Sequence, residues 1–236
     1  MGPMSSVATS TSKGATVCFL ARHCDVANPK GVFYGHLPNF GLSPKGESQG
    51  RAMGRYLARE PVQAIYSSPL QRAQETALLV QRQLAHSVPI LERPDLVEAD
   101  FAHYLQGTRH KDLFWRKPMW YLHMIWPGLV AGDESVGTMH QRVQVVISEG
   151  LSEHPGQAFV CVSHGDPIQA FWTTTEGRPP WALHRLQCAK GGLLKLTYRG
   201  DRLTEKIYLS PEAVAAAAGV GTAEPLPVGD PEPARD

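Results

Sequence analysis

Apolar and polar positions along this chain follow two alternating rhythms. Thr16-Val17-Cys18-Phe19-Leu20-Ala21 is a short, almost unbroken apolar run, the mark of a strand buried on both faces. Val62 to Tyr66 and Ala158 to Val162 read the same way. Between these runs the apolar residues recur at helical spacing. That spacing predicts a helix from Pro44 to about Arg59, with Ser43 as its N-cap and Pro44 at its first position. A second helix is expected from Pro69 to about Leu84, with Leu70, Ala73, Ala77 and Val80 along one face. Two more are expected from Glu134 to about Leu151 and from Pro167 to about Thr175. Gly192 to Tyr198 and Arg202 to Tyr208 resemble a hairpin turning at Arg199-Gly200-Asp201. Strands alternating with helices imply an α/β fold with a mostly parallel sheet.

The two ends break this rhythm. Residues 1–14 are small and polar and read as a flexible leader. From residue 212 the chain is Ala, Gly, Pro and acidic residues. Ala213 to Ala218 would extend a helix, but Gly219, Pro225, Pro227, Pro231 and Pro233 end it, so 212–236 is expected to be a flexible tail. Residues 15–211 then form a single domain.

Composition removes several function classes. Lys and Arg number 23 against 22 Asp and Glu, which gives no basic surface for nucleic acid. No apolar run approaches the roughly 18 residues of a membrane span, and the N-terminus lacks the apolar centre of a signal peptide. Neither nucleic acid nor a membrane is an expected partner. Cys18, Cys24, Cys161 and Cys188 have no zinc-ligand or C-x-x-C spacing. Cys18 and Cys161 lie inside apolar runs, as small hydrophobes of a reducing, cytoplasmic protein would.

Ligands of such sheets bind at the carboxyl ends of the strands. That rule selects Arg22-His23-Cys24, Ser67-Ser68-Pro69 and Ser163-His164-Gly165-Asp166, with Arg72 one turn into the helix after the second. Cleaving a phosphomonoester without a metal needs guanidinium groups to cradle the phosphoryl oxygens. It needs a neutral imidazole as nucleophile and an acid for the leaving oxygen. Arg22 and Arg72 can form the clamp, His23 the nucleophile, His164 a second cradle residue and Glu98 the acid. The Gly165 and Asp166 amides, at a helix start, can add donors.

Phe19-Leu20-Ala21-Arg22-His23-Cys24 resembles the R-H-G signature of the histidine phosphatase superfamily, also called the phosphoglycerate-mutase-like family. The resemblance continues through Ser43-Pro44-x-Gly46-x-x-Gln49, Tyr66-Ser67-Ser68-Pro69-x-x-Arg72-Ala73-x-x-Thr76, Leu96-x-Glu98, Glu134-Ser135 with Arg142, and Val162-Ser163-His164-Gly165. These blocks keep the family's order over residues 16–175. The resemblance implies a three-layer α/β/α sandwich with a mostly parallel central sheet. It implies a phosphohistidine on His23, phosphoryl binding by Arg22, Arg72 and His164, and proton donation by Glu98. It also suggests Asn28 as a phosphate contact, since the family often has an asparagine shortly after its nucleophile. No metal and no cofactor is implied. The expected partner is a small-molecule phosphomonoester; similar proteins are often homodimers, and the sequence leaves that open.

Three departures stand out. Cys24 replaces the usual glycine, adding a side chain near the pocket and a thiol open to oxidation. After Glu98 the chain reads Phe101-Ala102-His103-Tyr104-Leu105-Gln106-Gly107, similar to the mutases but with one extra residue, so Asp100 competes with Glu98 as the acid. Where the mutases have a basic, proline-rich segment, residues 114–126 are aromatic. Trp115, Met119, Leu122 and Trp126 fall at helical spacing, which suits a helix packed on the core, a lid over the pocket, or a membrane or partner surface. The missing basic segment favours a phosphatase over a phosphoglycerate-mutase-type transferase. A catalytically inactive binding protein is the third reading.

Overall fold

The computed structural model describes residues 14–100, 105–118, 120–126, 132–186 and 188–219. The strands are β1 (Thr16–Arg22), β2 (Val62–Ser67), β3 (Ile90–Glu92), β4 (Ala158–Ser163), β5 (Leu193–Arg199) and β6 (Arg202–Leu209). The helices are α1 (Pro44–Leu57), α2 (Gln71–Gln81), α3 (Leu113–Arg116), α4 (Trp120–Ile125), α5 (Val136–Glu153), α6 (Gly165–Thr175) and α7 (Pro211–Ala217). One six-stranded sheet has the order β3-β2-β4-β1-β5-β6. Its first four strands run parallel, and the β5–β6 hairpin adds antiparallel to β1.

The pleat sends successive side chains to opposite faces, and each face has its own core. Cys18 and Leu20 of β1 join Tyr66, Phe159 and Cys161 against Val143, Ile147, Ile168 and Phe171 of α5 and α6. Phe19 and Ala21 join Ile65, Val160 and Val162 against Met53, Leu57, Ala73 and Val80 of α1 and α2. This is the three-layer α/β/α sandwich. Among the described residues no helix is long and apolar enough to cross a membrane.

The expected elements recur with shifted ends. Ser43 caps α1 by accepting the Gly46 amide, with Pro44 at the first turn. The second helix starts at Gln71 because residues 68–70 form a turn in which the Leu70 amide donates to Ser68 Oγ. β3 has no counterpart among the predicted strands, being three residues long at the sheet edge and only partly buried. The folded part also runs past residue 211. Ser210 accepts the Ala213 amide, Pro211 opens α7, and Val214 is buried against the α1 layer. Ser210-Pro211 thus repeats the start signal of α1, and the expected boundary at 212 comes too early. Residues 1–13 of the expected leader and 220–236 of the expected tail lie outside the described residues.

The aromatic stretch does not form one helix packed on the core. It breaks after α3, where Pro118 disfavours helical backbone at Lys117. Trp115 is 84% exposed, and Ile125 and Trp126 are also exposed. Met119 lies outside the described residues.

Candidate active site

The parallel strands deliver their last residues to one edge. Arg22 pairs in register with Ser163, and Ser67 pairs with Val162, so the segments that follow leave the sheet side by side. His23 enters from β1, Ser68 from β2 and His164 from β4, while Arg72 reaches in from the first turn of α2. His23 and His164 are fully buried, and Arg72 is 1% exposed.

His23 has its tautomer set by the backbone. Its Nδ1 lies 2.8 Å from the Cys24 carbonyl oxygen, which can only accept, so the proton sits on Nδ1 and Nε2 carries the lone pair. Arg72 Nε donates to that Nε2 at 3.3 Å. Burial first, then the positive fields of Arg72 and Arg22, hold the His23 pKa well below its ordinary value. The ring is therefore held neutral. Arg72 is anchored by a 2.9 Å bond to the Gly35 carbonyl and by the Tyr34 ring, 4.8 Å from its guanidinium carbon.

His164 is the N-cap residue of α6, and its ring centroid lies 5.1 Å from that of His23. Its Nε2 meets Ser68 Oγ at 2.7 Å. Burial and the charge of Arg72 lower its pKa as well. Its buried Nδ1 has no hydrogen-bond partner, and neither does the buried Nε of Arg22. Arg22 donates instead through one terminal nitrogen to the Cys188 carbonyl at 2.6 Å. A Cβ on Gly165 would come within 3.0 Å of the Arg22 guanidinium carbon, so glycine there lets that group lie against the start of α6.

A cavity of about 270 Å³ opens onto this cluster, lined among others by Arg22, Asn28, Tyr34, Glu98, Gly165 and Asp166. Glu98 Oε2 lies 3.9 Å from His164 Nδ1. Glu98 rather than Asp100 therefore faces the cluster: Asp100 is exposed, with its amide 3.2 Å from Glu134. Residues 101–104, part of the stretch between Glu98 and Gln106 that carries the extra residue, lie outside the described residues. Asn28 lines the cavity, but its side chain is committed to its own loop, accepting the Val32 amide at 3.1 Å and donating to the Val32 carbonyl at 2.8 Å. A phosphate contact would fall to its second amide hydrogen.

The remaining motif residues hold these groups in place. A Cβ on Gly46 would lie 2.0 Å from the Asp25 carbonyl oxygen, so α1 could not approach the segment that follows β1 with any larger residue there. Gln49 receives the Asp25 amide and donates to the Lys190 carbonyl. Arg142 pairs with Glu134 and bonds the Asp95 and Val97 carbonyls at 2.6 Å each, which braces the segment carrying Glu98. Sequence reasoning placed Ser68 at the right strand end without giving it a role, and it missed Tyr34 and Lys190. Lys190 lines the cavity and pairs with Asp25 at 3.1 Å; only its place in the folded chain reveals it.

Cys24 does not supply a reactive thiol. It is fully buried in the α1–α2 core layer, and burial pushes its pKa to about 12. All four cysteines are free and buried. Nor are cations absent around the aromatic stretch. Lys30, Arg109, Lys111, Arg116 and Lys117, with Asp112, line a groove of about 1150 Å³ that shares Val32 and His110 with the cavity. Neither Trp115 nor Trp126 lines the cavity.

His23, Glu98 and His164 place one ligand atom each within 4.8 Å of one another, the only such group among the described residues. Two guanidinium groups beside them make the field that of an anion site rather than a cation site.

The buried neutral histidines give stability a definite pH dependence. Their folded pKa values lie below the unfolded value of about 6.5. The unfolded state therefore takes up more protons as pH falls through that value, and stability is lost on the acid side. Urea unfolding between pH 7 and 5 should show a loss approaching about 1.4 kcal/mol per pH unit for each histidine. His164→Gln should remove a share of that slope. A slope unchanged in the variant would show that His164 is not held neutral.

The sequence profile of the histidine phosphatase superfamily, branch 1, matches residues 18–208. An uncharacterized protein of Mycobacterium tuberculosis is 33% identical over 202 residues, 84% of this chain and 98% of its own. Phosphoserine phosphatase 1 of Hydrogenobacter thermophilus is 29% identical over 163 residues, 67% of this chain and 75% of its own. The crystal structure of the alpha-ribazole phosphatase from Shigella flexneri superposes with a TM-score of 0.66 at 26% identity, covering 83% of this chain and 96% of that one.

Proposed function

The chain belongs to the histidine phosphatase superfamily, and from that membership we propose that it is a metal-independent phosphomonoesterase that carries the phosphoryl group on His23. One observation carries the reading: a neutral His23 Nε2 lies among Arg72, Arg22 and His164, and two buried nitrogens of that set, Arg22 Nε and His164 Nδ1, have no hydrogen-bond partner within the protein. Buried donors are satisfied in nearly all native structures. A phosphoryl group beside His23 Nε2 would satisfy both.

In the proposed reaction the guanidinium groups of Arg22 and Arg72 hold the phosphoryl oxygens, and His164 donates from Nδ1. His23 Nε2 attacks phosphorus while the P–O bond to the leaving group breaks. Charge moves onto oxygens that meet fixed donors, so little reorganisation is needed. A carboxyl in the cavity protonates the leaving oxygen, and Glu98 is placed for that. Water then bonds to phosphorus as the N–P bond breaks, and the carboxylate left by the first step takes up the proton that the water loses.

Hydrolysis is favoured over mutase chemistry because relatives of this chain are named phosphatases, phosphoserine phosphatase 1 and the alpha-ribazole phosphatase among them. A cavity of about 270 Å³ suits a small organic ester. The cationic groove keeps a second reading in view, a phosphoglycerate-mutase-type transferase, since a basic wall would help retain a bisphosphorylated intermediate. Hydrolysis of p-nitrophenyl phosphate and O-phosphoserine in excess EDTA tests the proposal. Turnover undiminished by EDTA is expected. Loss of turnover on chelation would refute metal independence; interconversion of phosphoglycerates without net phosphate release would assign the mutase.

A further inference from the structure

His36 takes no part in the chemistry described so far, yet it bonds the residue that carries the acid. Its Nε2 lies 2.8 Å from the Glu98 carbonyl oxygen. That oxygen can only accept, so His36 Nε2 carries the proton and donates. We propose that His36 is a positioning residue of this site: by holding the Glu98–Ala99 peptide it aims the Glu98 carboxyl at the leaving oxygen. The inference rests on the reading of Glu98 as the acid and deepens it.

The chain around His36 is built to present it. The Leu37 amide donates to the Tyr34 carbonyl at 2.6 Å and closes a turn over residues 34–37. Gly35 has a φ of 58° less than a right angle's reach from the helical side only at glycine cost, since it sits at +42°, and a Cβ there would come within 3.1 Å of the Gln106 side chain. The Gly35 carbonyl accepts from Arg72, and the next residue turns its ring to Glu98, so one short turn serves both the clamp and the acid. The segment before it is pinned as well. The Phe33 amide donates to the Thr108 carbonyl at 2.9 Å, and the Phe33 carbonyl accepts the Gly107 amide at 2.8 Å.

One peptide plane joins His36 to the Glu98 carboxyl. The Glu98 carbonyl and the Ala99 N–H belong to the same trans peptide, so fixing one fixes the other. The Ala99 amide donates to Glu98 Oε1 at 3.0 Å. That leaves Oε2, 3.9 Å from His164 Nδ1, as the oxygen facing the phosphoryl site. Arg142 braces the Asp95 and Val97 carbonyls, but His36 acts at the Glu98 carbonyl itself. Without the His36 donor this peptide can rotate, and Oε1 loses its fixed partner. The acid is then present but poorly aimed, and the cost falls on steps that need its proton.

The test uses leaving groups that differ in that need. β-Glycerol phosphate releases a basic alkoxide, and p-nitrophenyl phosphate a phenolate that needs little protonation. His36→Phe keeps a ring and removes the donor. It is expected to lower kcat/KM on β-glycerol phosphate about 30-fold, through kcat rather than KM, and on p-nitrophenyl phosphate less than about threefold. His36→Gln, whose amide nitrogen can reach the same carbonyl, should regain most of the loss. Glu98→Gln should show the same selectivity, and adding His36→Phe to it should cost less than about threefold more, because no acid remains to be aimed. Equal losses on both esters in His36→Phe, no loss on either, or the full loss repeated on top of Glu98→Gln would overturn the role of His36 and leave the phosphatase reading intact. No selectivity in Glu98→Gln would overturn Glu98 as the acid, and His36 with it. A wild type that cleaves neither ester would overturn the phosphatase reading itself.

Discussion

His23→Ala is expected to bring hydrolysis of p-nitrophenyl phosphate to background, a loss of about four to six orders of magnitude. No other group can replace it. The second imidazole, His164, has its Nε2 turned to Ser68 Oγ, and its Nδ1 faces Glu98. The neutral state of His23 is also specific to its position: the Cys24 carbonyl fixes the proton on Nδ1, and burial with two guanidinium groups keeps Nε2 unprotonated. The alanine variant should keep its fold, because the β1 segment remains held by backbone bonds, among them His23 N to the Ser163 carbonyl at 2.9 Å and Gly191 N to the His23 carbonyl at 3.1 Å. Steady-state kinetics together with a thermal melt separate these outcomes. A near-native melt with residual turnover within tenfold of wild type would remove His23 from the nucleophile's role.

Arg72→Ala should cost about 10²–10³ in kcat/KM, the usual loss when one fixed donor to a developing charge is removed. Two consequences are separable. The clamp loses its Nε and terminal donors, which weakens binding of the phosphoryl group in the transition state more than in the ground state. The positive field on His23 also weakens, so the His23 pKa rises toward its ordinary value and the acid limb of the kcat/KM profile moves to higher pH. Arg72→Lys should recover little, because a single ammonium cannot span His23 Nε2 and the Gly35 carbonyl as the guanidinium fork does. Since Arg72 is 1% exposed, the variant also leaves a buried void and an unpaired carbonyl, and its melting temperature should fall. Kinetics unchanged in Arg72→Ala would place the phosphoryl group elsewhere.

Much of this arrangement was legible before the fold was known. Short apolar runs marked the strands, and the residues just after them supplied Arg22, His23 and His164 at the expected edge. What stayed hidden depended on distance between chain segments. Gly46 and Gln49 were visible as motif letters, but their purpose lies in contact with Asp25 and Lys190, which no spacing reveals. Lys190 carries no motif and reaches the cavity through the turn before β5. Cys24 looked like a thiol beside the pocket because it follows the nucleophile, yet the chain direction there turns its side chain into the core. The aromatic stretch misled for the opposite reason: helical spacing held through Trp115 and Trp126, and Pro118 overrode it. Its neighbouring cations are spread along the sequence, and only folding gathers Lys30 with Arg109 and Arg116 around one groove.

The measurement that bears most directly on the central claim is the state of His23 during turnover. Wild-type protein mixed with p-nitrophenyl phosphate, quenched in alkaline denaturant and digested, should yield a phosphoryl group on the peptide containing His23, stable to base and labile to acid. His23→Ala should yield none. Rapid turnover with no trapped phosphoryl group, or a phosphoryl group on His164 instead, would contradict the account.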